Sequence, residues 1–316
     1  MMRRVLLVPV AGGVLAVAGQ LADPFTLSSW NRILSLGLLA ASVVVLTGFA
    51  GLPTLGQVAP YAVGAYTTAL LARAGVVVGP VQLVAAVAAA GLFSALIAIV
   101  VVRARGLTFL MVTLAVAELT AIAAGQWRGL TGGSDGLAGI PATSPFWGAE
   151  PIVDDRAVYG YTLVVCTAFL AATWLILRSP AGLLVRGCRD DEARMLAGGH
   201  PVTRYLVITY IAAGALAGAG GALLITGQRY VSPQDVGFEV AALVLLAVTI
   251  GGTSSVIGAG VAVAFIVLLR DWAAVALPGH GPLLLGVLFV LAVYLLPGGL
   301  AGLRPTVARL RRTGPA

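Results

Sequence analysis

The sequence predicts an all-α integral membrane protein, a polytopic helical bundle of about ten transmembrane spans, and three observations predict it. Of 316 residues, 59% are hydrophobic and only 10% charged, whereas soluble domains carry about a quarter charged residues. Mean hydropathy is +1.02. Charge-free runs such as Gly75 to Val102 and Val240 to Leu269 reach or exceed the roughly 20 apolar residues that cross the hydrocarbon layer as a helix. A transmembrane β-barrel would instead show alternating polarity in segments of about 10 residues, and the chain has no such alternation.

Apolar runs bounded by Gly, Pro and charge place the spans at 5–21, 33–49, 55–72, 81–102, 107–125, 158–177, 205–226, 238–251, 256–272 and 282–297. The first follows MMRR and reads as an uncleaved span, although Ala16-Val17-Ala18 also resembles a signal-peptide cleavage site. The second and third are separated by Gly51-Leu52-Pro53-Thr54-Leu55-Gly56, and the fourth and fifth by Arg103-Ala104-Arg105. Segment 126–158, Gly-rich early and acidic late, follows the fifth; it reads equally as a partner surface or as a solvated connector with tight turns. A polar island, 178–204, separates the sixth and seventh, and Gly251-Gly252-Thr253-Ser254-Ser255 separates the eighth and ninth. These spans fill residues 1–316 as a single membrane domain, with no stretch left for a soluble one.

Charge orients the bundle. With the N-terminus cytoplasmic, thirteen arginines fall inside, and six arginines and eight acids fall outside. The positive-inside rule therefore puts both termini in the cytoplasm of a multi-pass protein. The net charge of +7 belongs to these loops, so it is an orientation signal and not a nucleic-acid footprint. All 19 basic residues are arginine. A P-loop ending in Gly-Lys-Ser/Thr is therefore excluded, and any ATP dependence must come from another chain. Cys166 and Cys188 are too dissimilar in setting to pair, and His200 and His280 stand alone in Gly/Pro turns, which gives no metal site.

Within the island, Asp190, Asp191 and Glu192 open a short helix that Gly198, Gly199 and Pro201 close, since acids suit the positive helix end and glycine the left-handed C-cap. Ala193, Leu196 and Ala197 share one apolar face. Two turns alone are marginal in water, so lipid or another protein must cover that face. Glu118 is the lone acid inside a span. Ionised there it costs about 2.5 to 3.5 kcal/mol, so it faces either a translocation path through the bundle or a structural hydrogen-bond partner. The two Gly-rich breaks read foremost as tight helical hairpins and secondly as unwound stretches along a path, which makes Gln57, Tyr61, Thr253 and Ser254 path candidates beside Glu118. The run IAAGALAGAGGAL, with Gly214 and Gly218 four apart, suits close helix approach, either as packing within the chain or as an interface with a second membrane chain. No nucleophile, base and orienting group coincide anywhere in the chain.

Four blocks resemble one family. Glu192-Ala193-Arg194-Met195-Leu196-Ala197-Gly198 is similar to the EAA-x-x-x-G coupling loop of ABC importer permeases, with Arg194 in place of an alanine. Its wider context, SPAGLLVRGCRDDEARMLAGGHPVTRYLVITYIAAGALAGAGGAL, together with GLPTLGQVAPYAVGAYTTALL, LTFLMVTLAVAEL plus TGGSDGLAGIP, and AVTIGGTSSVIGAGVAVAF, resembles branched-chain amino acid permeases of the LivM type over residues 43–303. The resemblance implies the permease subunit of an ATP-driven ABC importer in a bacterial plasma membrane, importing branched-chain or related hydrophobic amino acids. The same family also implies urea or short amides as alternative cargoes. The implied partners are two ABC ATPase subunits that use ATP and Mg, a second related permease and an extracytoplasmic substrate-binding protein; this chain itself binds no cofactor. The implied ATPase-coupling residues are Asp190, Asp191, Glu192, Ala193, Arg194, Leu196 and Gly198. The competing class is a secondary transporter that uses Glu118 as a proton-coupling acid.

Overall fold

A computed structural model describes residues 24–276 and 286–287. The expected first span, 5–21, lies outside these residues, as does the last, 282–297, apart from 286–287. The other eight spans all fall on helices, and no strand occurs among the described residues. In chain order the principal helices are α1 (Pro24–Val44), α2 (Val58–Arg73), α3 (Gly79–Val101), α4 (Gly106–Gln126), α5 (Asp155–Arg178), α6 (Pro180–Asp190), α7 (Glu192–Ala197), α8 (Val202–Gln228), α9 (Phe238–Gly251) and α10 (Val256–Ala276).

Local chemistry sets several of these ends. Pro24 and Pro80 lie in the first turns of α1 and α3, where the missing N–H is no loss. Asp154 caps α5, its carboxylate accepting from Ala157 N at 3.2 Å, and Arg178 closes the same helix at its negative end. Seven segments are long and apolar enough to cross a membrane: 26–49, 79–101, 106–126, 155–178, 202–228, 233–251 and 256–273. α2 is not one of them, because its 16 residues reach about 24 Å.

α8 is the hub of the bundle, and its Gly-rich run packs inside this chain. A Cβ on Gly221 would stand 2.1 Å from the Tyr61 carbonyl oxygen on α2, and one on Gly218 would stand 2.3 Å from Ala90 Cβ on α3. Gly64 of α2 approaches the Gly218 carbonyl in the same way, and Gly220 meets the Ser35 carbonyl of α1. Ser35 Oγ bridges the three helices, 2.7 Å from Tyr61 Oη and donating to Gly220 O at 2.9 Å. Lipid tails are as apolar as leucine, so such backbone approach, not hydrophobic exclusion, holds membrane helices together.

The two breaks differ from one another. The second is the expected tight hairpin: a Cβ on Gly251 would lie 2.3 Å from Gly258 O, so α9 and α10 turn back on each other at touching backbones. The first is not. α8 packs against both α1 and α2, which have little direct backbone contact with each other, and the chain leaves α1 through a π-helical turn, Val45–Phe49, and then an extended stretch. The hairpin expectation fails at the first break because the glycines of α8 let that helix slot into the space that a hairpin partner would fill.

Among the described residues, several loops that the charge count assigns to the outside meet at one end of the bundle. At one end Ser29 donates to Asp271 Oδ2 at 2.7 Å and Arg270 pairs with Glu239 at 3.0 Å. Segment 126–158 belongs to this end: Leu137 N and Val231 O pair at 2.8 Å, Gly79 N donates to Ser144 O at 2.8 Å, and Arg229 reaches Ile152 O at 2.9 Å. The segment is thus tied down with tight glycine turns at Gly132, Gly133, Gly136 and Gly139, all with positive φ.

Replacing Gly221 by Ala should separate α2 from α8 and cost about 1 to 3 kcal/mol through overpacking. Gly260→Ala, where a Cβ meets nothing within 4 Å, should be neutral. Thermal denaturation of the detergent-purified protein, followed by fluorescence size exclusion, reads the difference; equal Tm values would show that the α2–α8 approach carries no stability.

Candidate functional site

At the end of the bundle opposite Glu239, three loop regions converge: the first break, the second break and the polar island. The second break reaches the first through its backbone, since a Cβ on Gly48 would fall 1.7 Å from Thr253 O. The island reaches the first break through α6, a helix that the sequence reading did not anticipate. Arg189 Nη1 donates to the Gly48 carbonyl. The aliphatic stem of Arg189 covers Gly51, where a Cβ would lie 2.8 Å from Arg189 Cγ and where φ is +72°. Arg186 adds a cation–π contact, its guanidinium 4.7 Å from the Phe49 ring centre. These arginines are one helical turn apart, so a single face of α6 grips the π turn and the glycine that follows it.

α7 then presents the expected surface. Asp191 is its N-cap, accepting from Arg194 N at 2.9 Å, and Gly198 and Gly199 terminate it. Asp190, expected to open this helix, is instead the last residue of α6, because Asp191 takes an extended conformation and divides the island into two helices. Ala193, Leu196 and Ala197 are exposed, Leu196 at 56%, while Met195 turns back against Gly187. Arg194 is 85% exposed at its side chain, with a 3.4 Å contact to Asp191.

The opposite flank of α7 is tied to the loop between α3 and α4. Arg105 Nη2 and Nε donate to the two carboxylate oxygens of Glu192 at 2.9 and 3.1 Å. Both side chains are close to 40% exposed, so the pair is worth about 1 kcal/mol or less and orients the helix instead of anchoring it. The Arg105 hydrogen bond holds the Glu192 carboxyl below the ordinary glutamate range. Arg105, Arg186 and Arg189 carry this geometry, yet in the sequence they are legible only as members of the positive-inside count; the Ser-Pro start and the three-residue spacing of the arginines were the signal for α6.

The path candidates divide. Thr253 and Ser254 are exposed at the junction of the two breaks. Tyr61 is fully buried and engaged with Ser35 and the backbone of α8. Gln57 is the N-cap of α2, 1% exposed, with neither Oε1 nor Nε2 hydrogen-bonded. Glu118 sits where the buried face of α4 (Phe109, Thr113, Ala117, Ala124) gives way to an exposed apolar face that includes Met111 and Leu119. Its Oε1 is buried without a partner, and among the described residues it forms no hydrogen bond or ion pair with the other four candidates. The 126–158 segment adds an apolar groove at the far end, where Trp147 lies beside Pro80, Val84 and Ala88; no path candidate lines it.

The ion pair makes a pH prediction. A carboxyl whose folded pKa is depressed contributes above its unfolded value and is lost as pH falls through the lower folded value. Hydrogen exchange of the α7 amides, corrected for intrinsic rates, should therefore stay constant through neutral pH and rise only below the ordinary glutamate range. In Glu192→Gln the exchange should already be faster at pH 7 and lose that acid step; an unchanged acid step would mean that Arg105 does not order α7.

Residues 25–294 match the family described as the permease component of branched-chain amino acid transport systems. Over 324 aligned residues the chain is 30% identical to the high-affinity branched-chain amino acid transport system permease protein LivM of Salmonella typhimurium, and equally to that of Escherichia coli; each alignment covers 93% of this chain and 73% of the relative. No solved structure matches the chain. With the matched region running from the first turn of α1 to beyond α10, the chain belongs to the branched-chain amino acid transport permeases, a family of transport components and not of enzymes.

Proposed function

We propose that this chain is the permease subunit of an ATP-driven importer of branched-chain or related hydrophobic amino acids, with α7 as the helix on which a separate ATPase docks. The observation that carries the reading is the two-sided geometry of the island. One side of α7 offers Ala193, Leu196, Ala197 and Arg194 to the outside. The other side is tied through Arg105, and α6 grips the first break through Arg189. A push on α7 thus has a short mechanical route to the stretch that leads into α2.

In this reading the arginine-rich end faces the bacterial cytoplasm, both termini included, and segment 126–158 faces the substrate-binding protein. A second related permease and two ATPases that use ATP and Mg complete the assembly, since the all-arginine chain has no P-loop lysine. Glu118 lines the route: an intramembrane acid with a buried, unpartnered oxygen on the margin of an open helix face is satisfied by water, substrate ammonium or a neighbouring subunit. The relatives are named for branched-chain amino acid transport, which favours that cargo over urea or short amides.

Reconstitution of the co-purified complex into proteoliposomes tests the reading. Uptake of labelled leucine should require internal or external ATP on the α7 side and the binding protein on the other. Uptake driven by a proton gradient without any ATPase would instead assign the chain to secondary transport. Arg189→Ala should lower uptake about tenfold, the worth of one charged hydrogen bond, while ATP hydrolysis stimulated by the loaded binding protein continues. Tightly coupled uptake in that variant would remove Arg189 from the transmission route. Glu118→Gln should depress uptake without changing hydrolysis; intact transport and substrate preference would leave Glu118 a structural group.

A further inference from the structure

The first break does more than receive Arg189, because it carries the start of α2 into the membrane. Gly51 lies at the island, but Gly56 packs against Thr113, where a Cβ would come within 2.7 Å of Thr113 Cβ. Thr113 is seven residues into α4, about 10 Å along its axis. Leu52, 2% exposed, belongs to the same apolar cluster as Phe109. Thr54, Gln57, Val58 and Ala59 are all 0 to 2% exposed. A 16-residue helix therefore begins inside the bundle, with no acidic residue in its first turn and no side-chain cap.

A buried helix start needs partners for its first N–H groups; here Ala59 N donates to Gly56 O at 3.1 Å and Pro60 has no N–H, which leaves those of Gln57 and Val58 at the start of the helix. The Thr54 hydroxyl is occupied by Gly56 N at 3.0 Å. Gln57, the N-cap residue itself, has both ends of its amide unpartnered at 1% exposure. Two independent deficits thus coincide at one point: the positive end of a helix axis, and an amide lacking both an acceptor for its N–H₂ and a donor for its oxygen. Leaving such a group unsatisfied is costly, and a leucine of similar size would remove the cost.

We propose that the N-terminus of α2 with Gln57 is the station where the zwitterionic head of an α-amino acid is held during passage. This proposal rests on the importer reading above and specifies its site. The α-carboxylate accepts from Gln57 Nε2 and lies at the positive helix end, and the ammonium group donates to Gln57 Oε1. Interrupted helices hold substrate carboxylates in this way in other transporter folds. The neutral amide complements both ends of a zwitterion at once, whereas a glutamate at the cap would repel the carboxylate. Thr113, beside Gly56, brings the site to the same helix that carries Glu118 one and a half turns farther along.

The test uses the whole reconstituted complex, with leucine uptake and ATP hydrolysis measured side by side. Gln57→Glu should reduce maximal uptake by about tenfold or more, leaving the half-saturating leucine concentration, set by the binding protein, and the stimulated ATP hydrolysis unchanged. Gln57→Leu should raise the Tm of the purified complex, because it deletes an unsatisfied buried amide, and should still cut uptake. Native uptake in either variant overturns the proposal, as does a Gln57→Leu complex with lowered Tm, which would mean that the amide serves packing. Where Gln57→Glu does not assemble, Gln57→Leu decides. Failure of the unsubstituted complex to import any amino acid would count against the importer reading, which separates that outcome from this one.

Discussion

The structure depends on one contact, the backbone-to-backbone approach of α8 to its neighbours. Gly218, Gly220 and Gly221 each meet a carbonyl or Cβ of α1, α2 or α3 at distances that no side chain could occupy. In lipid there is no hydrophobic gain from bringing two apolar helices together, so surface fit and the polar bridge through Ser35 and Tyr61 must supply the attraction. By lying between α1 and α2, α8 also prevents those two from closing into a hairpin. The chain between them must then travel separately, first as a π turn and then extended, and this produces a break that enters the bundle.

That break links the buried and the exposed parts of the site. At its outer end Gly48 and Gly51 accept Arg189 and the second break; at its inner end Gly56 rests on Thr113 and α2 begins. Glycine is needed at Gly51, where φ is positive and the arginine stem lies directly over the Cα. The π-helical turn before it is a form often found at functional positions. In the proposed function, docking on α7 and substrate at the α2 N-terminus would act on the two ends of one short irregular stretch.

The division of strength along this route is consistent with a moving part. The bundle around α8 is close-packed, whereas the ties of the island are exposed ion pairs and single hydrogen bonds. Exposed ion pairs, worth about 1 kcal/mol or less, are readily remade. The unpaired amide of Gln57 and the unpaired oxygen of Glu118 are the polar groups that the proposed route would satisfy.

Much of this was legible in the residues themselves. Hydropathy located eight helices within the described region, because the thickness of a bilayer dictates their length. The arginine distribution sorted the loops onto two ends, and the caps of α7 followed from Asp191, Gly198 and Gly199, all local effects. The Gly-x-x-x-Gly spacing announced close packing, but only the fold decided that α8 spends those glycines within the chain. Tertiary structure alone decided that the two similar Gly-rich breaks behave differently, that Arg105 and Arg189 are ties and not merely orientation charges, and that Gln57 lies buried at a helix start. Those facts depend on which helix fills which gap, a choice made by pairwise fit between distant segments and therefore written in no single stretch of sequence.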